Sequence, residues 1–226
     1  NWQKDWLFRI SGGAYYQPPF YKEIFNKSGY KNKNIKAQES YHLVTGADYN
    51  FTAWRRPFKF VAEAYYKKLK NLIPYTVDNL RIIYEGENKA HGYVTGLDLK
   101  ITGEFVKGVD SWLSVSLMQT QEDIEGDSYV KENSQGEAQT IHPGYIPRPT
   151  DQAVTVNLFF QDYYPGDPTW KMHLNLVYGS GLPFGPPNSP RYAATGRMPD
   201  YRRVDIGVSK SIVSSEMHYQ NPRGLR

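Results

Sequence analysis

Apolar and polar residues alternate along much of this chain, and alternation with a period of two predicts β-strands. The clearest stretch places Leu97, Leu99 and Ile101 on one face and Asp98 and Lys100 on the other. Similar stretches predict about eight antiparallel strands, at roughly 5–16, 37–53, 58–72, 97–105, 113–117, 154–161, 171–178 and 203–209.

The predicted connections alternate between short turns and long loops. Short turns fall at 54–57, 107–110 and 165–168, whereas 121–150 and 179–199 are long and rich in polar residues, glycine or proline. Several strands reach the roughly 9–11 residues that cross a membrane, whereas globular strands usually have about 5–6. No apolar run of about 18 residues predicts a transmembrane helix.

Two stretches depart from the strand pattern. Phe20, Ile24 and Phe25 follow two prolines at helical spacing, which predicts one or two helical turns. The third strand breaks at 73–74, and strand-like sequence resumes at 80–84.

Aromatic residues mark both ends of the predicted strands. Amphipathic aromatic rings are favoured at a membrane–water boundary. Two girdles, combined with short turns at one end and long loops at the other, are typical of an outer-membrane β-barrel. Trp6, Trp54, Trp112 and Trp170 lie near the short turns, and Tyr16, Tyr41 and Tyr84 toward the opposite ends; the predicted membrane girdle comprises Trp54, Trp112, Trp170, Tyr16, Tyr41 and Tyr84.

Composition agrees with this interpretation but does not decide it. The chain has 226 residues, no cysteine, 15% aromatic residues and a net charge of +4. The charge is small and scattered, so no nucleic-acid partner is predicted. A mean hydropathy of −0.65 suits a soluble protein, and equally a barrel in which every second strand residue meets lipid. Alternation alone leaves a soluble β-sandwich open.

Several motifs resemble the barrel of TonB-dependent outer-membrane receptors, most of all the subgroup with an N-terminal carboxypeptidase-regulatory-like domain. They lie at 15–21, 91–96, 148–152, 178–185 and 201–207. The resemblance implies an all-β, antiparallel, up-and-down transmembrane barrel of about 22 strands around a plug. It implies that 1–226 is a partial sector of about eight strands from the C-terminal part of that single domain, without the plug or the terminal strands.

The alternation also divides the strand residues between two predicted surfaces. The outward, lipid-facing set is Phe58, Phe60, Leu97, Leu99, Ile101, Leu113, Val115, Leu117, Val154, Val156, Leu158, Leu174 and Leu176. The lumen set is Glu63, Asp98, Lys100, Glu104, Asn157, His173, Asn175, Arg203 and Asp205. Contact with cargo and contact with the plug are both compatible with the lumen set. Loops 121–150 and 181–200 are predicted to capture cargo.

No catalytic group, cofactor or metal site is predicted. The histidines are scattered, and none has metal-ligand spacing. The acidic residues Glu122, Asp123, Glu125 and Asp127 could offer oxygens to Ca²⁺, but they match no calcium-loop pattern and are interpreted as a solvated surface loop.

The resemblance implies a receptor in the outer membrane of a Gram-negative cell. It would import a scarce or bulky nutrient, with TonB supplying energy through the missing plug. Its partners would be outer-membrane lipid, the TonB complex and a small-molecule, peptide or glycan cargo. The alternatives are a passive porin or structural barrel, and a soluble β-sandwich binding module.

Overall fold

The chain forms antiparallel β-strands almost throughout. The computed structural model describes residues 5–78, 81–132, 136–186 and 189–212, and within these ranges it contains no α-helix. The long strands are β1 (Trp6–Gln17), β2 (Gln38–Ala53), β3 (Arg56–Leu72), β6 (Ala90–Val106), β7 (Val109–Ile124), β11 (Val154–Tyr164), β12 (Asp167–Gly179) and β15 (Tyr201–Lys210). The short strands are β4 (Tyr75–Asp78), β5 (Arg81–Tyr84), β8 (Tyr129–Glu132), β9 (Ala138–Ile141), β10 (Ile146–Pro147), β13 (Pro183–Phe184) and β14 (Gly196–Arg197).

The eight long strands make one meandering sheet in the order β1-β2-β3-β6-β7-β11-β12-β15, with β10 added at the end of β7. The predicted all-β class, the antiparallel order and the number of long strands are confirmed. The sheet does not close into a barrel within the described ranges, because β1 and β15 stand at its two edges and do not pair with each other.

Short turns lie at one end of the sheet. In the turn between β2 and β3, Trp54 and Arg55 have φ angles of 52° and 62°. Two successive positive φ values define a type I′ turn, whose twist matches that of the flanking strands. The turns between β6 and β7 and between β11 and β12 instead place Gly108 (φ 80°) and Gly166 (φ 86°) at the left-handed position.

The long connections at the opposite end carry the small hairpins β4–β5, β8–β9 and β13–β14. The strand predicted at 80–84 is therefore the second arm of a hairpin and not a continuation of β3; its first residue, Leu80, lies outside the described residues. The helical turns predicted at 20–25 are wrong. Glu23 instead closes a turn, since its backbone N–H donates to the Phe20 carbonyl and its carboxylate accepts from the Phe20 N–H at 2.7 Å.

Cross-strand register gives the sheet two distinct faces. Directly paired residues point to the same side of a sheet, and the pairs Ala62↔Leu99, Leu99↔Val115 and Val115↔Val156 continue one row across four strands. All of the predicted outward residues belong to this apolar face. Their contact with lipid stays a prediction.

The apolar face is not covered by a second layer of described strands. Phe8 and Ile206, at its two edges, are 70% and 73% exposed. The buried apolar cluster lies elsewhere, where Leu69, Ala90 and Ile124 of the sheet meet Ile146 from the loop after β7. These sheet residues belong to the polar face at its long-loop end, so the long loops fold over that face.

Within the described ranges, no helix is long and apolar enough to cross a membrane.

Candidate functional site

The polar face of the sheet carries a network of charges. The Asp48 side chain is 3% exposed and is contacted by Arg9 Nη2 at 2.9 Å and by Lys59 Nζ at 2.7 Å. Arg9 on β1 and Lys59 on β3, the two strands that flank β2, therefore compensate the negative charge of Asp48.

Glu63 and Asp98, both predicted to line the lumen, are directly paired between β3 and β6. Like charges directly opposite each other are unfavourable. Arg9 Nη2 lies 3.7 Å from Glu63, and the Glu63 side chain is 40% exposed. Two facing carboxylates are better tolerated at a solvated surface than in a buried interface.

Lys100 and Asn157 also lie on the polar face, near the short-turn end. Lys100 Nζ stands 5.3 Å above the Trp112 ring, a distance at which a cation is attracted to an indole face. The same Trp112 stacks on Phe159, with 6.2 Å between ring centroids. Asn157 pairs with Ser114 of β7.

The remaining predicted lumen residues lie on the last two strands. His173 covers its cross-strand neighbour Gly207 so closely that a Cβ there would meet Nε2 at 2.0 Å. Asn175 Nδ2 donates to Asp205 Oδ2 at 3.4 Å, and Arg203 Nε lies 2.9 Å from the same oxygen.

Glu104 lies at the short-turn edge of this set, and its place in a lumen stays a prediction. Its carboxylate accepts the Gly108 N–H at 3.0 Å and so closes the turn between β6 and β7. A register irregularity between Gly103 and Val106 takes Glu104 out of the regular ladder.

Trp112 departs from the predicted girdle. It lies close to the short-turn end, but its register partners are Thr102 and Phe159, both on the polar face. The alternation of Leu113 and Val115 already required this, because adjacent strand residues point to opposite faces. By contrast, Trp54 is exposed at its turn against Phe58, and Trp170 belongs to the apolar face.

The three predicted tyrosines are also divided. Tyr16 and Tyr41 lie at the long-loop ends of β1 and β2 on the apolar face. Tyr84 lies outside the eight-stranded sheet, in hairpin β4–β5, where its ring is 5.5 Å from that of Tyr75. Tyr84 thus lies toward the long-loop end but outside the eight-stranded sheet, and its place in a membrane girdle stays a prediction.

A buried ion cluster lies under the long loops. Glu122, at the end of β7, is 2% exposed and lies 3.2 Å from Arg148 Nε and 3.0 Å from Arg191 Nη2. The two arginines belong to different loops, and Arg191 lies on a short 3-10 helix, Arg191–Ala193. The prediction of a solvated acidic loop beginning at Glu122 is wrong, since this carboxylate joins both loops to the sheet.

A second carboxylate reinforces the attachment. Asp151 accepts the Thr120 N–H at 2.6 Å and lies 2.5 Å from Arg197 Nη2. Asp151 and Arg197 are contributed by the loops after β7 and β12. Two carboxylates thus fasten 144–151 and 189–198 over the polar face.

Burial is the main cause of the pKa shifts in this region. It lowers the pKa of Arg191, against the opposing attraction of Glu122, and raises the pKa of Tyr75. The pKa of Asp127, further along the same loop, is raised by burial and then by the charge of Asp123. Arg191 remains a cation, since a guanidinium group keeps its proton in proteins.

Sequence reasoning missed Glu122, Arg148 and Arg191. One signal for Glu122 was available: it shares its strand face with Ser114, Ser116 and other polar-face residues. Nothing in the local sequence marks Arg191, 69 positions later, as the partner of Glu122. Among the described residues, no group of three or more His, Asp or Glu side chains is arranged to hold a metal.

No model of a protein family matches the chain, and a search of curated proteins gives no match either. The likeness of its motifs to TonB-dependent receptors therefore stays a prediction. What the polar face does is inferred from its own geometry.

Proposed function

We propose that the chain is a sector of an outer-membrane β-barrel, and that the full-length protein imports a scarce or bulky nutrient with energy delivered through TonB. The apolar face of the sheet contacts lipid. The polar face forms part of the lumen wall, and the long connections lie on the extracellular side.

The observation that carries the proposal is the continuous, uncovered apolar face. A soluble sandwich would pack this face against a second sheet at about 10 Å, and no described strand forms such a layer. From Phe58 to Tyr66 the face runs about 26 Å along β3, or about 20 Å after a tilt of roughly 40°. That approaches the apolar band of about 25 Å on outer-membrane barrels.

The opposite face supports a lumen. It presents Glu63 against Asp98, and Lys100 over Trp112, in positions where water can solvate the charges. Alternation of lipid-facing and lumen-facing residues is the arrangement that membrane barrels require.

The loops favour a gated transporter over a passive porin. Arg148 and Arg191 hold two long connections over the polar face at one end, which narrows the path that a passive solute would take. The motif resemblance adds TonB as the energy source, and the cargo would be a small molecule, peptide or glycan.

The test is uptake by cells that express the full-length protein, with TonB present or deleted. Import that disappears without TonB, and that falls when hairpin β8–β9 is deleted, supports the proposal. Import that is indifferent to TonB favours the passive barrel. A protein that stays soluble without detergent and is absent from outer-membrane fractions favours the sandwich.

A further inference from the structure

The ion cluster at the end of β7 carries an excess of positive charge. Arg148 and Arg191 share the single carboxylate of Glu122, so two cations meet one anion. The nearby Asp151 does not correct the imbalance, because it is already paired with Arg197. Buried charges in proteins are normally compensated, since an uncompensated one is costly to remove from water.

Arg191 also has unused hydrogen-bond donors. Its side chain is 6% exposed, and among the described residues only its Nη2 atom has partners, namely Glu122 and the Pro147 carbonyl. Nε and Nη1 are buried without an acceptor among the described residues. Buried N–H groups nearly always have a partner, and where no protein acceptor is in reach an ion or a water molecule is the usual explanation.

We propose that Arg148 and Arg191 form a binding site for an oxyanion, a carboxylate or phosphate group carried by a solute. The site lies on the polar face at the long-loop end of β7. Arg191 Nε and Nη1 donate to the anion, and the second guanidinium adds attraction. Arginine suits this chemistry because its charge is permanent and its donors are spread over a planar fork.

The surroundings favour an anion over a cation. Among the described residues, the acidic groups that act on Arg191 are Glu122 and Tyr75, and Tyr75 is neutral at pH 7 because burial raises its pKa. The Arg191 side chain is 6% exposed, so an anion reaches it only by separating Arg191 from the neighbouring segment 144–151, to which it is bonded through the Pro147 carbonyl.

The site adds to the proposed function that the imported solute carries an anionic group. Its position at the mouth of a lumen rests on that proposed function. Anion binding by the purified protein does not itself depend on membrane import. The two claims can therefore fail separately.

The experiment is a calorimetric titration of the full-length protein in detergent at pH 7. The probes are inorganic phosphate and succinate, with chloride at matched ionic strength as the blank. The variants are Arg191→Gln, Glu122→Gln and the control Arg197→Gln. Arg197 lies on the same segment and also pairs with a carboxylate, but its side chain is 42% exposed.

We expect saturable binding of phosphate or succinate to the wild type, and the tighter of the two identifies the anion class. Arg191→Gln should weaken binding about tenfold or more, and Arg197→Gln less than about threefold. Glu122→Gln should tighten binding about tenfold, because it removes the carboxylate that competes for both guanidiniums. A purely structural cluster predicts no such gain.

The absence of saturable binding in both the wild type and Glu122→Gln overturns the site. Equal losses in Arg191→Gln and Arg197→Gln overturn it as well. If Arg191→Gln does not fold, the gain expected for Glu122→Gln still decides the matter. Anion binding together with TonB-independent uptake would keep the site and reject the proposed import mechanism.

Discussion

The ring of Phe58 lies directly over Gly103, its register partner on β6. A Cβ at Gly103 would meet Phe58 Cδ1 at 2.4 Å and the Pro57 carbonyl oxygen at 2.7 Å. Phe58 is buried, and Phe51 and Phe105 lie against it. The glycine thus makes room for the aromatic cluster at the short-turn end of the apolar face.

Replacing Gly103 with alanine should destabilise the protein by about 1–3 kcal/mol, the usual cost of adding a methyl group to a filled site. The measurement is urea unfolding of the full-length protein in bilayers or detergent. Gly12→Ala is the control, because its new Cβ would meet only the His42 carbonyl oxygen, at 3.4 Å. Equal stability of the two variants would contradict the packing of Phe58 on Gly103.

Leu99 tests whether the apolar face contacts lipid, because it lies within the row of cross-strand pairs that runs from Ala62 through Val115 to Val156. Leu99→Arg should cost roughly 2–4 kcal/mol of unfolding free energy in bilayers, because a charge at mid-membrane is poorly solvated. Ser116→Arg is the matched control on the polar face, where its neighbour is Asp98 and the charge meets water. A cost for Leu99→Arg no larger than that for Ser116→Arg would place Leu99 away from lipid.

The sheet could be predicted from sequence because its determinants are local. A period of two assigns each strand residue to a face, and this placed Leu99, Val115 and Val156 on one side. The same rule places Trp112 on the polar face, so its assignment to the girdle gave too much weight to proximity to a turn. Aromatic chemistry alone does not say which face a residue occupies.

The loop attachments could not be predicted in the same way. Glu122 meets Arg148 and Arg191 only after two loops fold over β7, and no periodic pattern connects these positions. The pairing of β5 could not be predicted for a related reason: strand-like sequence at 81–84 does not show whether its partner is a strand of the main sheet or the neighbouring Tyr75–Asp78. Long-range pairing is decided by tertiary contacts that alternation does not report.

The β2–β3 turn offers a prediction about backbone strain. Arg55 has φ 62°, a region that costs a residue with a Cβ about 1–2 kcal/mol and costs glycine little. Arg55→Gly should therefore raise stability by up to about 1 kcal/mol in the same unfolding assay. Arg56→Gly is the contrast, because Arg56 Nη1 donates to the Phe105 carbonyl at 2.5 Å, and that variant should lose stability. A loss in both variants would argue against strain at Arg55.

Glu122 holds the loop segments 144–151 and 189–198 on the sheet, so its replacement should release them. Glu122→Gln leaves the buried Arg191 and the partly exposed Arg148 without a carboxylate, and removing one partner of a buried ion pair costs about 3–5 kcal/mol. The cost should appear locally, as faster amide hydrogen exchange in 144–151 and 189–198, while the central strands β3, β6 and β7 keep their protection. Asp123→Asn is the control, because Asp123 lies on the opposite face of β7, where His91 Nε2 is 3.8 Å from its carboxylate. Exchange that rises equally in both variants, or that rises throughout the sheet, would show that Glu122 does not hold these loops. Addition of phosphate should restore protection in Glu122→Gln if the oxyanion takes the place of the lost carboxylate.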